Sequence, residues 1–142
     1  MNLIDDAEKV RLLNDVKVIA VVGLSPKAQR PSHRVAKLLQ EFSYQIVPVR
    51  PGVTNILGEK VYKSLSDIPF NVDLVNVFRA SEFVPEIVYE CITCKIPAIW
   101  LQEGISHEAA ALKAQQAGIT MIMDQCIYKE IVRLQINQLN KQ

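Results

Sequence analysis

Near the start of the chain, Val16-Lys17-Val18-Ile19-Ala20-Val21-Val22 forms a nearly unbroken β-branched run that stops at Gly23. Such a run suits a central strand of a parallel sheet, covered by helices on both faces. The chain must therefore supply those helices. After a loop containing Pro26 and Pro31, Ser32 reads as an N-cap, with Val35, Ala36, Leu38, Leu39 and Phe42 following at helical spacing. Tyr44 to Val49 reads as the next strand. Strand, helix and strand in this order make a βαβ unit, whose crossover is almost always right-handed and whose strands are parallel.

The rest of the sequence repeats the alternation. Leu74 to Phe78 predicts a third buried strand, and a helix follows from about Ser81 to Cys94 with Pro85 in its first turn. Ala98 to Leu101 predicts a fourth strand. Ser106 reads as the cap of a helix with Ala109, Ala110, Leu112 and Ala117, closed by Gly118, and Ile119 to Met123 predicts a fifth strand. A last helix is expected from about Cys126 to Leu139. Ahead of the first strand, Asp5 and Asp6 open a short amphipathic helix with Ala7, Val10 and Leu13, expected to act as an N-terminal lid. Pro51 to Phe70 reads as irregular, with a short edge strand around Val61-Tyr62. The fold class expected is α/β, a Rossmann-like doubly wound and mainly parallel sheet of about five strands with helices on both faces, in one domain spanning residues 1–142.

Composition narrows the function classes. With 16 Lys+Arg against 15 Asp+Glu, the formal charge of +1 provides no broad basic field for nucleic acid, so any bound anion must be met locally. The longest apolar runs are too short to span a bilayer, and Met1 to Asp6 lacks the pattern of a secretory signal. Three cysteines, Cys91, Cys94 and Cys126, cannot all pair with one another. A cytoplasmic protein with free thiols is expected.

Ligands of doubly wound sheets gather at the carboxyl ends of the strands, near the point where strand order reverses. The first such end, Gly23-Leu24-Ser25-Pro26-Lys27-Ala28-Gln29-Arg30-Pro31-Ser32, leads into a helix N-terminus suited to phosphate. A dinucleotide fingerprint would need glycines where Ser25 and Ala28 stand, which disfavours ordinary NAD binding. Ser25 and Ser32 supply hydroxyls instead, and Lys27 and Arg30 supply charge. At the second strand end stands Arg50, where an NAD site would place a carboxylate. A guanidinium there suits a phosphate on the adenosine ribose, which is 2′ in NADP and 3′ in CoA. Phe78-Arg79 and Leu101-Gln102-Glu103-Gly104 end the third and fourth strands. A non-catalytic module is favoured, because neither His33 nor His107 has a nucleophile or carboxylate partner in its loop. Cys91-x-x-Cys94 falls late in a helix, where nothing activates a thiol, and Cys126 is the better placed thiol at a strand end.

These strand ends resemble those of the stand-alone CoA-binding proteins, which are similar to the N-terminal domain of the succinyl-CoA synthetase alpha subunit. The resemblance lies in Val22-Gly23-Leu24-Ser25 with Arg30-Pro31-Ser32, Ile46-Val47-Pro48-Val49 with Pro51, and Ile56-Leu57-Gly58-Glu59 with Tyr62 and Ser64 to Pro69. It continues through Val77-Phe78-Arg79, Trp100 to Ile105, Glu108-Ala109-Ala110, Ala117-Gly118 and Met123 to Ile127. It implies a CoA site in which Gly23 to Ser32 meets the phosphates, Arg50 lies near the adenosine 3′-phosphate and Leu101 to Glu103 line the ligand. Arg50 replaces a frequent Asn of the family, Gln125 a frequent Arg, and Tyr128-Lys129 the usual Lys-Ile. The histidine phosphorylated in the synthetases belongs to a second domain with no counterpart in these residues, so binding is implied and ligation is not. The competing readings are an NADP-dependent oxidoreductase, motivated by Arg50, and an accessory subunit completed by a partner such as an acyl-CoA ligase. A homodimer through an exposed helix face remains open, and neither nucleic acid nor membrane is an expected partner.

Overall fold

The computed structural model describes residues 4–137. Its sheet contains β1 (Val18–Val22), β2 (Gln45–Val49), β5 (Leu74–Val77), β6 (Ala98–Leu101) and β7 (Thr120–Ile122). They lie in the order β2-β1-β5-β6-β7 with every pairing parallel. A separate antiparallel pair is formed by β3 (Asn55–Ile56) and β4 (Glu59–Lys60). The helices are α1 (Asp6–Asp15), α2 (Pro31–Glu41), α3 (Val84–Thr93), α4 (Glu108–Gln116) and α5 (Ile127–Arg133).

Alternation along each strand divides the core. Ile19, Val21, Ile46, Leu74, Trp100 and Ile122 face α1, α2 and α5, meeting Leu13, Ala36, Leu39, Ile127 and Ile131. Ala20, Val22, Val47, Val75, Val77, Ile99, Leu101 and Met121 face the other way, against Val84, Val88 and Cys91 of α3 and Ala110, Ala111 and Ala114 of α4. The nearly continuous apolar strands of the sequence thus serve two layers at once, as the expected doubly wound class requires.

Several local expectations are corrected. Pro31, with its fixed φ, takes the first helical position of α2, so the cap falls on Arg30 and Ser32 lies inside the first turn. At α4, His107 rather than Ser106 is the cap: its backbone is extended and its Nδ1 accepts the Ala110 N–H at 3.1 Å. The last helix stops at Arg133, because Gln135 turns left-handed and the Ile136 N–H reaches back to the Ile131 carbonyl at 3.0 Å. Leu139 lies outside the described residues. The segment around Val61-Tyr62 forms no strand of its own; the β3–β4 hairpin precedes it, and Tyr62 makes one parallel bridge to Val49.

The expected lid is a layer helix. Leu13 of α1 is fully buried, and Lys9 runs inward to Gln125 at 2.8 Å and Glu130 at 2.9 Å. Arg133 joins the cluster by bonding both Glu130 and Asp6. The hydrogen bond from Arg133, reinforced by Lys9, overcomes burial and holds the Glu130 carboxyl down at about 2. The ion cluster therefore fastens α1 to α5.

Candidate functional site

The strand register places the key residues in one row. Val22 pairs with Val49 on one side and Val77 on the other, and Val77 pairs with Leu101, so Gly23, Arg50, Phe78 and Gln102 each stand one step beyond a strand end. Backbone bonds carry the ladder across this row: Gly23 N to Val49 O at 3.0 Å, Phe78 N to Val22 O at 2.9 Å and Gln102 N to Val77 O at 3.2 Å. Because β1 connects to β2 on one side while the chain returns to β5 on the other, the row crosses the topological switch point.

A cleft of about 820 Å³ opens there. Its floor is Val22, Gly23, Val49, Arg50, Phe78 and Arg79; α3 and the turn before it supply one wall with Phe83, Glu86 and Glu90; Lys63, Ser64 and Ser66 supply the other. Gly23 has φ +87°, and a Cβ on it would stand 3.0 Å from the Phe78 carbonyl oxygen, so glycine is what permits β1 to end against β5. The Arg79 guanidinium lies over the Phe83 ring at 3.9 Å, a cation–π contact that fixes both at the rim. The Arg50 guanidinium reaches the Leu24 carbonyl at 3.4 Å through Nη1, while its Nε is buried without a hydrogen-bond partner among the described residues. Such a donor is costly unless a ligand or water accepts from it.

Beside the cleft, the loop between β1 and α2 is braced by its own serines. Ser32 Oγ accepts the Ser25 N–H at 2.9 Å and Ser25 Oγ accepts the Lys27 N–H at 3.1 Å. Each hydroxyl keeps its own proton for donation to an anion. His33 Nδ1 meets the Ser25 carbonyl at 2.9 Å. Lys27 and Arg30 are exposed on this loop, and Leu24 is fully buried beneath it.

The fourth strand end behaves differently. Gln102 is buried, and its Oε1 accepts from Asn76 Nδ2 at 3.2 Å and from the Ile127 N–H at 2.9 Å. It thereby ties β5 and β6 to the start of α5. Glu103 pairs with Lys129 on the surface at 3.1 Å, and the Gly104 N–H is held by Asp124 at 2.6 Å with Gly104 at φ +82°. Of the residues expected at the site, Gly23, Arg50, Phe78 and Arg79 line the cleft, while Leu24, Ser25, Lys27, Arg30, Ser32, Leu101, Gln102, Glu103 and Gly104 do not.

The thiols divide as their positions dictate. Burial pushes the Cys91 thiol far up, with Glu90 and Cys94 adding to it, and burial raises Cys94 as well, so neither favours the thiolate. Cys126 is buried and stands at the N-cap position of α5.

Sequence reasoning missed Lys63, Ser64, Ser66, Phe83, Glu86 and Glu90 as cleft-lining residues. The Lys63 segment carried no signal, since its placement depends on the single bridge at Tyr62.

Among known proteins, the family described as a CoA binding domain matches residues 17–131. The chain is 42% identical over 121 residues to YneT, an uncharacterized protein of Bacillus subtilis, covering 85% of this chain and 90% of that one. The solved structure of a hypothetical protein from Pyrococcus horikoshii has a TM-score of 0.90 at 31% identity, covering 95% of this chain and 96% of that one. The ADP-forming acetate–CoA ligase I of Archaeoglobus fulgidus is 39% identical over 75 residues, which are 53% of this chain and 11% of the enzyme. Among the described residues, no helix is long and apolar enough to cross a membrane.

Proposed function

The chain belongs to the CoA-binding domain family and is related to the ADP-forming acetate–CoA ligases, and from that premise we propose a one-domain module that binds CoA or an acyl-CoA without chemistry of its own. The observation that carries this reading is Arg50: a cleft-lining guanidinium at the switch point that forms no ion pair among the described residues. A phosphate on an adenosine ribose supplies the acceptor that such a donor requires.

The other residues fall into roles around it. The Ser25 and Ser32 hydroxyls, with Lys27, Arg30 and the N-terminus of α2, meet the pyrophosphate. Gly23, Phe78 and Arg79 form the floor for the nucleoside, and Gln102 acts from behind it by holding the β5, β6 and α5 edge in place. CoA brings a thiol or thioester; this chain binds and orients it. His33 is engaged with the Ser25 carbonyl and His107 caps a helix, so both imidazoles have structural work that supports a binding role over proton transfer.

NADP is the competing ligand, because its 2′-phosphate presents the same charge to Arg50. A second arrangement is favoured by the match to part of a much longer CoA ligase: the module presents CoA to a separately encoded partner. Calorimetric titration of nucleotide-free protein with CoA and NADP tests the reading. One saturable site for CoA, with NADP weaker by about tenfold or more, is expected from a loop lacking the dinucleotide glycines. A preference for NADP would transfer the site to nicotinamide chemistry.

A further inference from the structure

We propose that Lys63 is the second half of a phosphate clamp, acting beside Arg50 to read the 3′-phosphate of CoA as a dianion; this rests on the CoA reading given above. The parallel bridge between Val49 and Tyr62 sets the geometry. It is closed by Tyr62 N to Pro48 O and Arg50 N to Tyr62 O, both at 3.0 Å. The residues immediately after the bridge, Arg50 and Lys63, therefore leave the sheet edge side by side, separated by about one inter-strand spacing of ~4.8 Å. Both line the same cleft.

The bridge is itself held in place. The Tyr62 ring packs edge-on against Phe70 with centroids 6.2 Å apart, and Lys60 Nζ lies 5.2 Å from the Tyr62 ring centroid. Lys63 is thus presented by an anchored backbone although its side chain is exposed.

Two like charges brought into register repel each other, and proteins ordinarily place a carboxylate between them. Among the described residues, neither cation takes part in an ion pair. The cleft's own carboxylates, Glu86 and Glu90, come from α3, and Glu90 is engaged with the Ser66 N–H at 3.2 Å. A phosphomonoester fits this arrangement, because it carries nearly two negative charges at neutral pH and three acceptor oxygens. The planar Arg50 fork supplies directed bonds, and the Lys63 ammonium supplies a mobile point charge. A ribose hydroxyl offers neither the charge nor the acceptors, so Lys63 determines specificity for the phosphorylated ribose.

The test compares CoA with 3′-dephospho-CoA on wild type and on Lys63→Met, which retains the apolar stem. The clamp predicts that wild type favours CoA, that Lys63→Met weakens CoA by roughly ten- to thirtyfold, and that dephospho-CoA binds both proteins equally. Arg50→Gln combined with Lys63→Met should lose less than the product of the single losses, since the two act on one group. CoA binding that is unchanged in Lys63→Met, or that falls equally for both ligands, overturns the clamp and leaves the CoA reading standing. Wild type that binds neither ligand overturns the CoA reading and the clamp with it.

Discussion

Gly23→Ala is expected to lower the unfolding free energy by about 2–5 kcal/mol and to abolish binding in the cleft. Gly23 holds φ +87°, where an L-residue costs about 1–2 kcal/mol. The new Cβ would also stand 3.0 Å from the Phe78 carbonyl oxygen and 3.2 Å from its carbon. Neither is a flexible side-chain tip. The Phe78 N–H is bonded to Val22 O at 2.9 Å, so moving Phe78 away strains the β1–β5 ladder that forms the floor. Overpacking of this kind adds about 1–3 kcal/mol. Urea unfolding should show a lower midpoint with an unchanged slope. A midpoint equal to that of wild type would mean that the β1–β5 edge yields without cost and does not define the site.

Gln102→Leu separates a structural role from a ligand contact. The substitution leaves the Ile127 N–H without its side-chain acceptor and removes one of the two acceptors of Asn76 Nδ2, inside a core where Asn76 is fully buried with its Oδ1 already unpartnered. Each unmet buried polar group costs about 1–3 kcal/mol, so a loss of about 2–4 kcal/mol is expected. Amide exchange should accelerate at Ile127, while CoA affinity measured well below the melting temperature should fall by less than about threefold. A large affinity loss at undiminished stability would instead make Gln102 a direct ligand contact.

What the sequence made legible follows from how local each cause is. β6 begins and ends where the apolar run Ala98 to Leu101 does, and Gly118 follows α4 because a left-handed residue is needed there. The residues beyond the strand ends were readable for the same reason: a strand's last apolar residue also marks where its loop begins. Caps were less legible. Ser32 and Ser106 have the right chemistry, but Pro31 shifts the start of α2 and an extended His107 reaches the open N–H of α4 first. Three helix ends depend on left-handed Ser43, Lys95 and Gln135, residue types that carry no such signal in a sequence. The least legible features were tertiary. Nothing near Lys63 announces that it stands beside Arg50, thirteen positions earlier in the chain, and nothing near Gln102 announces that it secures the first turn of α5. The internal position of Lys9 was equally hidden, since its partners Gln125 and Glu130 lie more than a hundred residues away.

CoA bound across the strand ends at the switch point would perturb the backbone amides there, which an amide NMR titration of the intact protein with CoA reads residue by residue. Saturable shifts concentrated at Gly23, Ser25, Arg50, Lys63, Phe78 and Arg79 are expected. Shifts confined to the groove at the opposite sheet edge, around Phe70, Asn71, Lys95 and Ile96, or no shifts at saturating CoA, would contradict binding at the switch point.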